Sequence, residues 1–172
     1  GFTSDTQGRD QGSTAELALD KDGKFLGLRV ATTANLGAYL SNFGPFIPTL
    51  AGSKMLAAVY TTPVIHVAVK GVCSNTVPMD AYRGAGRPEA AYLVERVVDQ
   101  AAREIGLSPA EIRYRNFIPG SAMPYKTALG AEYDTGEFAQ NMDQAIEKSD
   151  WAGFETRKAA SLAEGKLRGI GL

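Results

Sequence analysis

Polar and apolar residues alternate over residues 13–21 and again over 24–33, the period of a strand with one covered face. Between the runs stands Asp22-Gly23, which suits a two-residue type I′ turn, where both central residues need φ > 0. A hairpin centred there sets Leu19 opposite Leu26, Leu17 opposite Leu28 and Ala15 opposite Val30, all on one face. The other face pairs Glu16 with Arg29, a weak exposed ion pair. Residues 36–55 follow no period: Gly37, Gly44, Pro45, Pro48 and Gly52 interrupt Tyr39, Phe43 and Phe46. This segment reads as an irregular stretch with short helical turns, either a packed loop or one wall of a binding cleft. Residues 63–72 return to strand, with Ile65, Val67 and Val69 on one face and His66 and Ala68 on the other.

From Pro88 the period becomes helical. Pro88 suits a first turn, and Val94, Val97, Val98, Ala101 and Ile105 form a stripe. Glu95, Arg96, Asp99, Gln100 and Arg103 occupy the outer face, where Asp99 and Arg103 stand four apart and can pair. Gly106 predicts a left-handed cap, and Ser108-Pro109-Ala110-Glu111 a capping box that opens a short helix towards Asn116. Asp134-Thr135-Gly136-Glu137 predicts a second box before Phe138, Met142, Ala145 and Ile146, a stripe read as core packing. Asp150 caps a last charged helix carrying Trp151, Phe154 and Leu162. Residues 119–133 read as a linker within the domain, and residues 167–172 as the start of a strand. The fold class is α+β: a largely antiparallel sheet with helices packed on it in two layers.

Composition narrows the function classes. The 172 residues carry a net charge of -1, with 44% hydrophobic and 22% charged residues, an ordinary globular balance. That charge argues against a nucleic-acid partner. No apolar run approaches the roughly 20 residues that span a bilayer. One cysteine excludes an internal disulfide and, with one histidine, a zinc site made of four cysteines or of paired cysteines and histidines. His66 would need partners to act as an acid or base, and it reads better as a packing or surface residue. Cys73 reads as a small buried residue with no basic neighbour to activate it.

One stretch could carry chemistry. Residues 77–89, Val-Pro-Met-Asp-Ala-Tyr-Arg-Gly-Ala-Gly-Arg-Pro-Glu, join a strand to the long helix. Gly84 and Gly86 allow close approach of another molecule, and nearby amides can present N–H groups to an anion. Arg83 and Arg87 add forked cationic donors. The stretch is neither a Walker A loop, since Arg87-Pro88 follows Gly86, nor a dinucleotide fingerprint, since Glu89 holds the third glycine position. On these grounds alone it is either an anion site or a tight turn with solvated arginines.

Residues 80–89, Asp-Ala-Tyr-Arg-Gly-Ala-Gly-Arg-Pro-Glu, resemble the active-site loop of the molybdenum-binding large subunit of the xanthine dehydrogenase and aerobic carbon monoxide dehydrogenase family. The likeness continues through Gly71-Val72-Cys73-Ser74-Asn75 before the loop, and through Gly106-Leu107-Ser108-Pro109-Ala110-Glu111-Ile112-Arg113 and Arg115-Asn116-Phe117-Ile118 after it. It implies that residues 1–172 are an internal piece of a molybdopterin-binding domain: β-rich over 1–80, an active-site loop over 80–89 and helical over 88–166. The implied activity is oxidoreductase chemistry on carbon monoxide, aldehydes or nitrogen heterocycles. The implied cofactor is molybdenum with molybdopterin, in its cytosine dinucleotide form.

The resemblance assigns Ala81, Tyr82, Arg83 and Gly84 to cofactor binding, and Ala85 and Gly86 to the substrate pocket. It implies no catalytic residue and no metal ligand within the chain, because the family's general base lies beyond this segment. Its implied partners are the rest of the large subunit, iron–sulfur and flavin subunits or domains, and a small-molecule substrate. The expected location is the cytoplasm. Two positions depart from the family pattern. Gly84 stands where copper-containing carbon monoxide dehydrogenases have a cysteine, and Ala85 where xanthine-oxidising members have an aromatic residue. The first argues against copper and the second against purine specificity. A non-catalytic module that binds an anion or docks a partner subunit is the alternative of another class.

Overall fold

The computed structural model describes residues 4–172. Strands β1 (Gln11–Leu19) and β2 (Phe25–Gly37) form the expected antiparallel hairpin. Leu17 faces Leu28, Ala15 faces Val30 and Glu16 faces Arg29, with the Arg29 guanidinium bonded to the Glu16 carboxylate. The turn differs from expectation. Only Gly23 has positive φ, at +80°, and its N–H donates to Asp20 O at 3.1 Å. The Asp20 carboxylate also accepts from the N–H groups of Asp22 and Lys24, at 2.9 and 2.8 Å. This is a type I turn closed by a left-handed glycine, with one more residue than a type I′ turn. The register therefore shifts at Leu19, which meets Phe25 rather than Leu26. Phe25 is buried, and Leu26 points to solvent.

Strand β3 (Ile65–Cys73) lies beside β2 and parallel to it, so this sheet is mixed, in the order β1-β2-β3. Parallel neighbours need a long crossover. Residues 38–64 supply it, and they hold one π-helical turn (Ile47–Gly52) and one 3₁₀ turn (Met55–Ala57). Helix α1 (Arg87–Ile105) crosses the same face of the sheet. Phe25, Leu28 and Val30 from β2 pack with Leu56 and Tyr60 of the crossover and with Ala90, Val94, Val98 and Ala102 of α1. Burying each Val, Leu or Phe side chain contributes about 1.5–3 kcal/mol. The opposite face, with Thr14, Ala31, His66 and Ala68, stays exposed. Cys73 is exposed too, which corrects its reading as a buried residue.

Gly106 caps α1 in the left-handed region, at φ +73°. Helix α2 (Pro109–Asn116) then starts on the expected box: Glu111 N–H donates to Ser108 Oγ at 3.1 Å, and Ser108 N–H to Glu111 Oε2 at 2.9 Å. Two buried polar groups tie α2 to the rest. Asn116 accepts from Phe25 N–H and donates to Gly23 O and Ile112 O, each at 2.8 Å. Arg113, with a side chain only 4% exposed, donates to Glu95 Oε2 from Nε and Nη2, at 2.9 and 2.7 Å. Asp99 Oδ1 lies 2.9 Å from Arg113 Nη1 and supplies a second anion to the guanidinium. Glu95 and Asp99 thus turn towards α2, and Asp99 pairs with Arg113 rather than Arg103. A buried guanidinium needs anions, and an exposed i,i+4 pair contributes far less. Burial and the Glu95 charge together push the Tyr60 phenol well above its ordinary range.

Residues 119–133 are ordered rather than a linker. A short hairpin, β4 (Tyr125–Lys126) with β5 (Glu132–Tyr133), returns to the core, where Tyr133 Oη donates to Ala58 O at 2.8 Å. The second capping box does not form. Helix α3 (Phe138–Lys148) begins four residues after Asp134, and the Glu137 carboxylate lies against Gly120 instead. Its stripe of Phe138, Met142 and Ile146 is only half-buried, so it is not core in this chain. Asp150 accepts from Gly153 N–H ahead of α4 (Phe154–Ala163), as expected of a cap. Residues 167–172 form no strand. Among the described residues, no helix is long and apolar enough to cross a membrane.

Candidate functional site

The loop between β3 and α1 has a shape that its sequence alone does not impose. Gly84, Ala85 and Gly86 have φ of +95°, +40° and +87°, three consecutive residues on the left-handed side. Alanine costs roughly 1–2 kcal/mol there, so the surroundings must hold it. Two turns stack along the chain: Ala85 N–H donates to Tyr82 O at 2.8 Å and Arg87 N–H to Gly84 O at 3.1 Å. Gly86 is buried and its carbonyl accepts from Ala90 N–H at 3.1 Å, which opens α1. Ala81, Tyr82 and Arg83 are exposed, and Gly84 and Ala85 are half-buried.

Three distant segments hold the loop. First, the π-helical turn lies beneath it, so close that a Cβ on Gly86 would sit 2.6 Å from Gly52 N. Second, Ser41 Oγ donates to Met79 O at 2.5 Å and accepts from Gly44 N–H at 3.0 Å, seating the approach to the loop on the crossover. Third, residues 7–9 run alongside. Gln7 N–H donates to Pro78 O at 2.9 Å, and Asp80 N–H donates to Gln7 O at 2.7 Å. Arg9 then stands over the Tyr82 ring, 4.7 Å from its centroid, and its Nη2 donates to Arg83 O. Its Nε lies 3.9 Å from Glu89 Oε1. Of the two readings of residues 36–55, a packed loop does not hold: Tyr39, Phe43, Phe46 and Leu50 are exposed, and the segment serves as a support for the loop through Ser41 and Gly52.

The structure thus gathers the six predicted residues, Ala81, Tyr82, Arg83, Gly84, Ala85 and Gly86, on one continuous turn. It leaves His66 and Cys73 on the sheet. The Arg83 and Arg87 side chains are exposed; Arg87 Nη1 bends back to Gly84 O at 3.4 Å. The N–H groups of Arg83, Gly84 and Gly86 have no acceptor among the described residues. Unpaired amides beside two guanidinium groups make a surface suited to an anionic group. Sequence reasoning missed Arg9, Ser41 and Glu89. Arg9 lies in the polar run 7–10, ahead of any periodic segment, and only its contacts mark it. A groove of about 610 Å³ opens next to Arg9 and Glu89, between β1 and α1, with Tyr92 and Leu93 on its wall.

Comparison with known proteins gives one consistent answer. The model of a family described as "Molybdopterin cofactor-binding domain" matches residues 1–117. The chain is 37% identical over 169 residues to the carbon monoxide dehydrogenase large chain of Hydrogenophaga pseudoflava, covering 95% of the chain and 21% of that protein. It is 31% identical over 158 residues to the aldehyde oxidoreductase of Megalodesulfovibrio gigas, covering 91% of the chain and 16% of that protein. Among solved structures, quinoline 2-oxidoreductase from Pseudomonas putida 86 superposes with a TM-score of 0.87 at 31% identity, over 95% of the chain and 21% of that subunit. The chain therefore spans about a fifth of the length of these relatives.

Proposed function

This chain belongs to the molybdopterin cofactor-binding domain family, and from that premise we propose that it forms one wall of the active site of a molybdenum hydroxylase large subunit. The observation that carries the reading is the left-handed run Gly84-Ala85-Gly86, with its unpaired amides and flanking guanidinium groups. Ala81, Tyr82, Arg83 and Gly84 hold the cofactor through backbone groups, while Ala85 and Gly86 border the substrate. The donor set fits an anionic pterin: it offers N–H groups and cations and no carboxylate among Ala81 to Gly86. When bound, the molybdenum cofactor, in its cytosine dinucleotide form, supplies the oxidation chemistry. The chain's own part is to bind, orient and shape.

The whole subunit oxidises a small organic or one-carbon substrate, and its electrons leave through iron–sulfur and flavin partners in the cytoplasm. Gly84 brings no thiolate to the loop, so the site holds no copper there. A nitrogen heteroaromatic substrate is the second reading, favoured by the TM-score of 0.87 to quinoline 2-oxidoreductase. Ala85 leaves room for a flat ring beside the loop.

The test is metal analysis and dye-linked oxidation by the complete complex, with carbon monoxide, an aldehyde and quinoline as substrates. Molybdenum without copper, with turnover of at least one substrate, is the expected result. Gly84→Val removes both, because a Cβ there meets Pro88 Cγ at 2.6 Å. A complex free of molybdenum, or a Gly84→Val variant with unchanged metal and turnover, overturns the proposal.

A further inference from the structure

We infer that Arg9 is a positioning residue: it fixes the orientation of the Arg83–Gly84 peptide plane and so aims the Gly84 N–H. In a trans peptide the C=O and N–H of one unit point in opposite directions. Arg9 Nη2 holds the Arg83 carbonyl, so the Gly84 N–H, in the same unit, is turned away from Arg9. The backbone alone leaves this undecided. Gly84 sits at φ +95°, and glycine accepts either sign of φ with similar ease, so the plane can flip at little cost. The two turns do not pin it either: the first encloses it as its central peptide, which flips between type I and type II while the closing bond is kept. They use Tyr82 O, Ala85 N–H, Gly84 O and Arg87 N–H, and none of these belongs to the Arg83–Gly84 unit.

Arg9 is itself held for the task. Its guanidinium has the Tyr82 ring on one side, 4.7 Å away, and the Glu89 carboxylate beside Nε at 3.9 Å. Its main chain lies at φ +62°, a costly conformation for arginine, and residue 8 is a glycine whose Cβ would come within 2.8 Å of Tyr82 Cβ. The Gln7 ladder to Pro78 and Asp80 fixes the height of the strand. Glu89 Oε2 is buried without a hydrogen-bond partner among the described residues. Arg9 is thus the cation facing this carboxylate at the start of α1. A lysine could keep that charge contact, but it lacks the planar fork that reaches carbonyl, ring and carboxylate together.

The catalytic arm of the test rests on the proposed function; the structural arm does not. In the full-length subunit within its complex, Arg9→Ala and Arg9→Lys are compared with the parent by hydrogen exchange without substrate and by dye-linked turnover. For Arg9→Ala, exchange of the Ala85 amide, which within 82–86 donates to Tyr82 O at 2.8 Å, rises about tenfold, while a peptide spanning 94–102 is unchanged. Its kcat falls about tenfold or more with KM within about twofold, and added guanidinium ion restores part of the loss. Arg9→Lys falls between. Unchanged exchange of the Ala85 amide in Arg9→Ala overturns the inference, as does acceleration spread equally over 94–102. A parent complex without molybdenum overturns the proposed function instead, and the exchange result still decides the role of Arg9.

Discussion

Replacing Gly86 with alanine tests whether contact across the fold sets the loop. The added Cβ would lie 2.6 Å from Gly52 N and 2.8 Å from both Gly52 Cα and Ile47 O. All three are backbone atoms, so no side chain can swing aside. Two costs add. Alanine at φ +87° costs about 1–2 kcal/mol, and overpacking a close contact about 1–3 kcal/mol. The sum, about 2–5 kcal/mol, is a large share of the 5–15 kcal/mol that holds a typical domain. The readout is hydrogen exchange of the Ala90 amide in the full-length subunit, because that group donates to Gly86 O at 3.1 Å. A loss of about 3 kcal/mol speeds its exchange about a hundredfold. Gly106→Ala is the control: φ is +73° there, but nothing lies within 4 Å of the new Cβ. Only the conformational cost of about 1–2 kcal/mol applies, so the Leu107 amide exchanges about five- to thirtyfold faster. Equal acceleration in the two variants refutes the argument, since the approach of Gly52 would then contribute nothing.

Arg113→Met leaves Glu95 and Asp99 partly buried without their cation and lowers stability by about 3–5 kcal/mol, read as a shift in thermal melting. Asn116→Ala strands Phe25 N–H and Gly23 O in the core and costs about 2 kcal/mol or more in the same assay. The hydrogen bond from Tyr114 to the Asp143 carboxylate, before burial and charge, pushes the Tyr114 phenol up to about 12. A raised folded value means that this bond's contribution is whole below the ordinary value of 10.0 and is lost as pH climbs through about 12. The ultraviolet phenolate titration of the parent minus that of Tyr114→Phe should show that late step; a difference centred on the ordinary value counts against it.

Local features were legible where a short stretch of chain decides them. Leu17–Leu28 and Ala15–Val30 followed from alternation, and the Ser108 box and Gly106 cap from residue chemistry within one turn. The shift at Leu19 was hidden because the Asp20 side chain, not the Asp22-Gly23 pair, organises the turn. The direction of β3 was hidden because alternation looks the same in parallel and antiparallel strands. Glu95 and Asp99 looked solvated until α2 brought Arg113 against them. In the candidate site, the six loop residues stand together in the sequence and were found together. Arg9 reaches the loop from 74 residues away, and no local pattern announces such a contact.

The supports of the loop bear on protein engineering. Its geometry is stored less in residues 80–89 than in what lies against them: the Arg9 fork, the Ser41 hydroxyl and the bare Cα of Gly52. Transplanting the ten-residue motif into another strand-to-helix connection would carry over the letters and lose the conformation. The smallest portable unit runs from residue 7 to the first turns of α1.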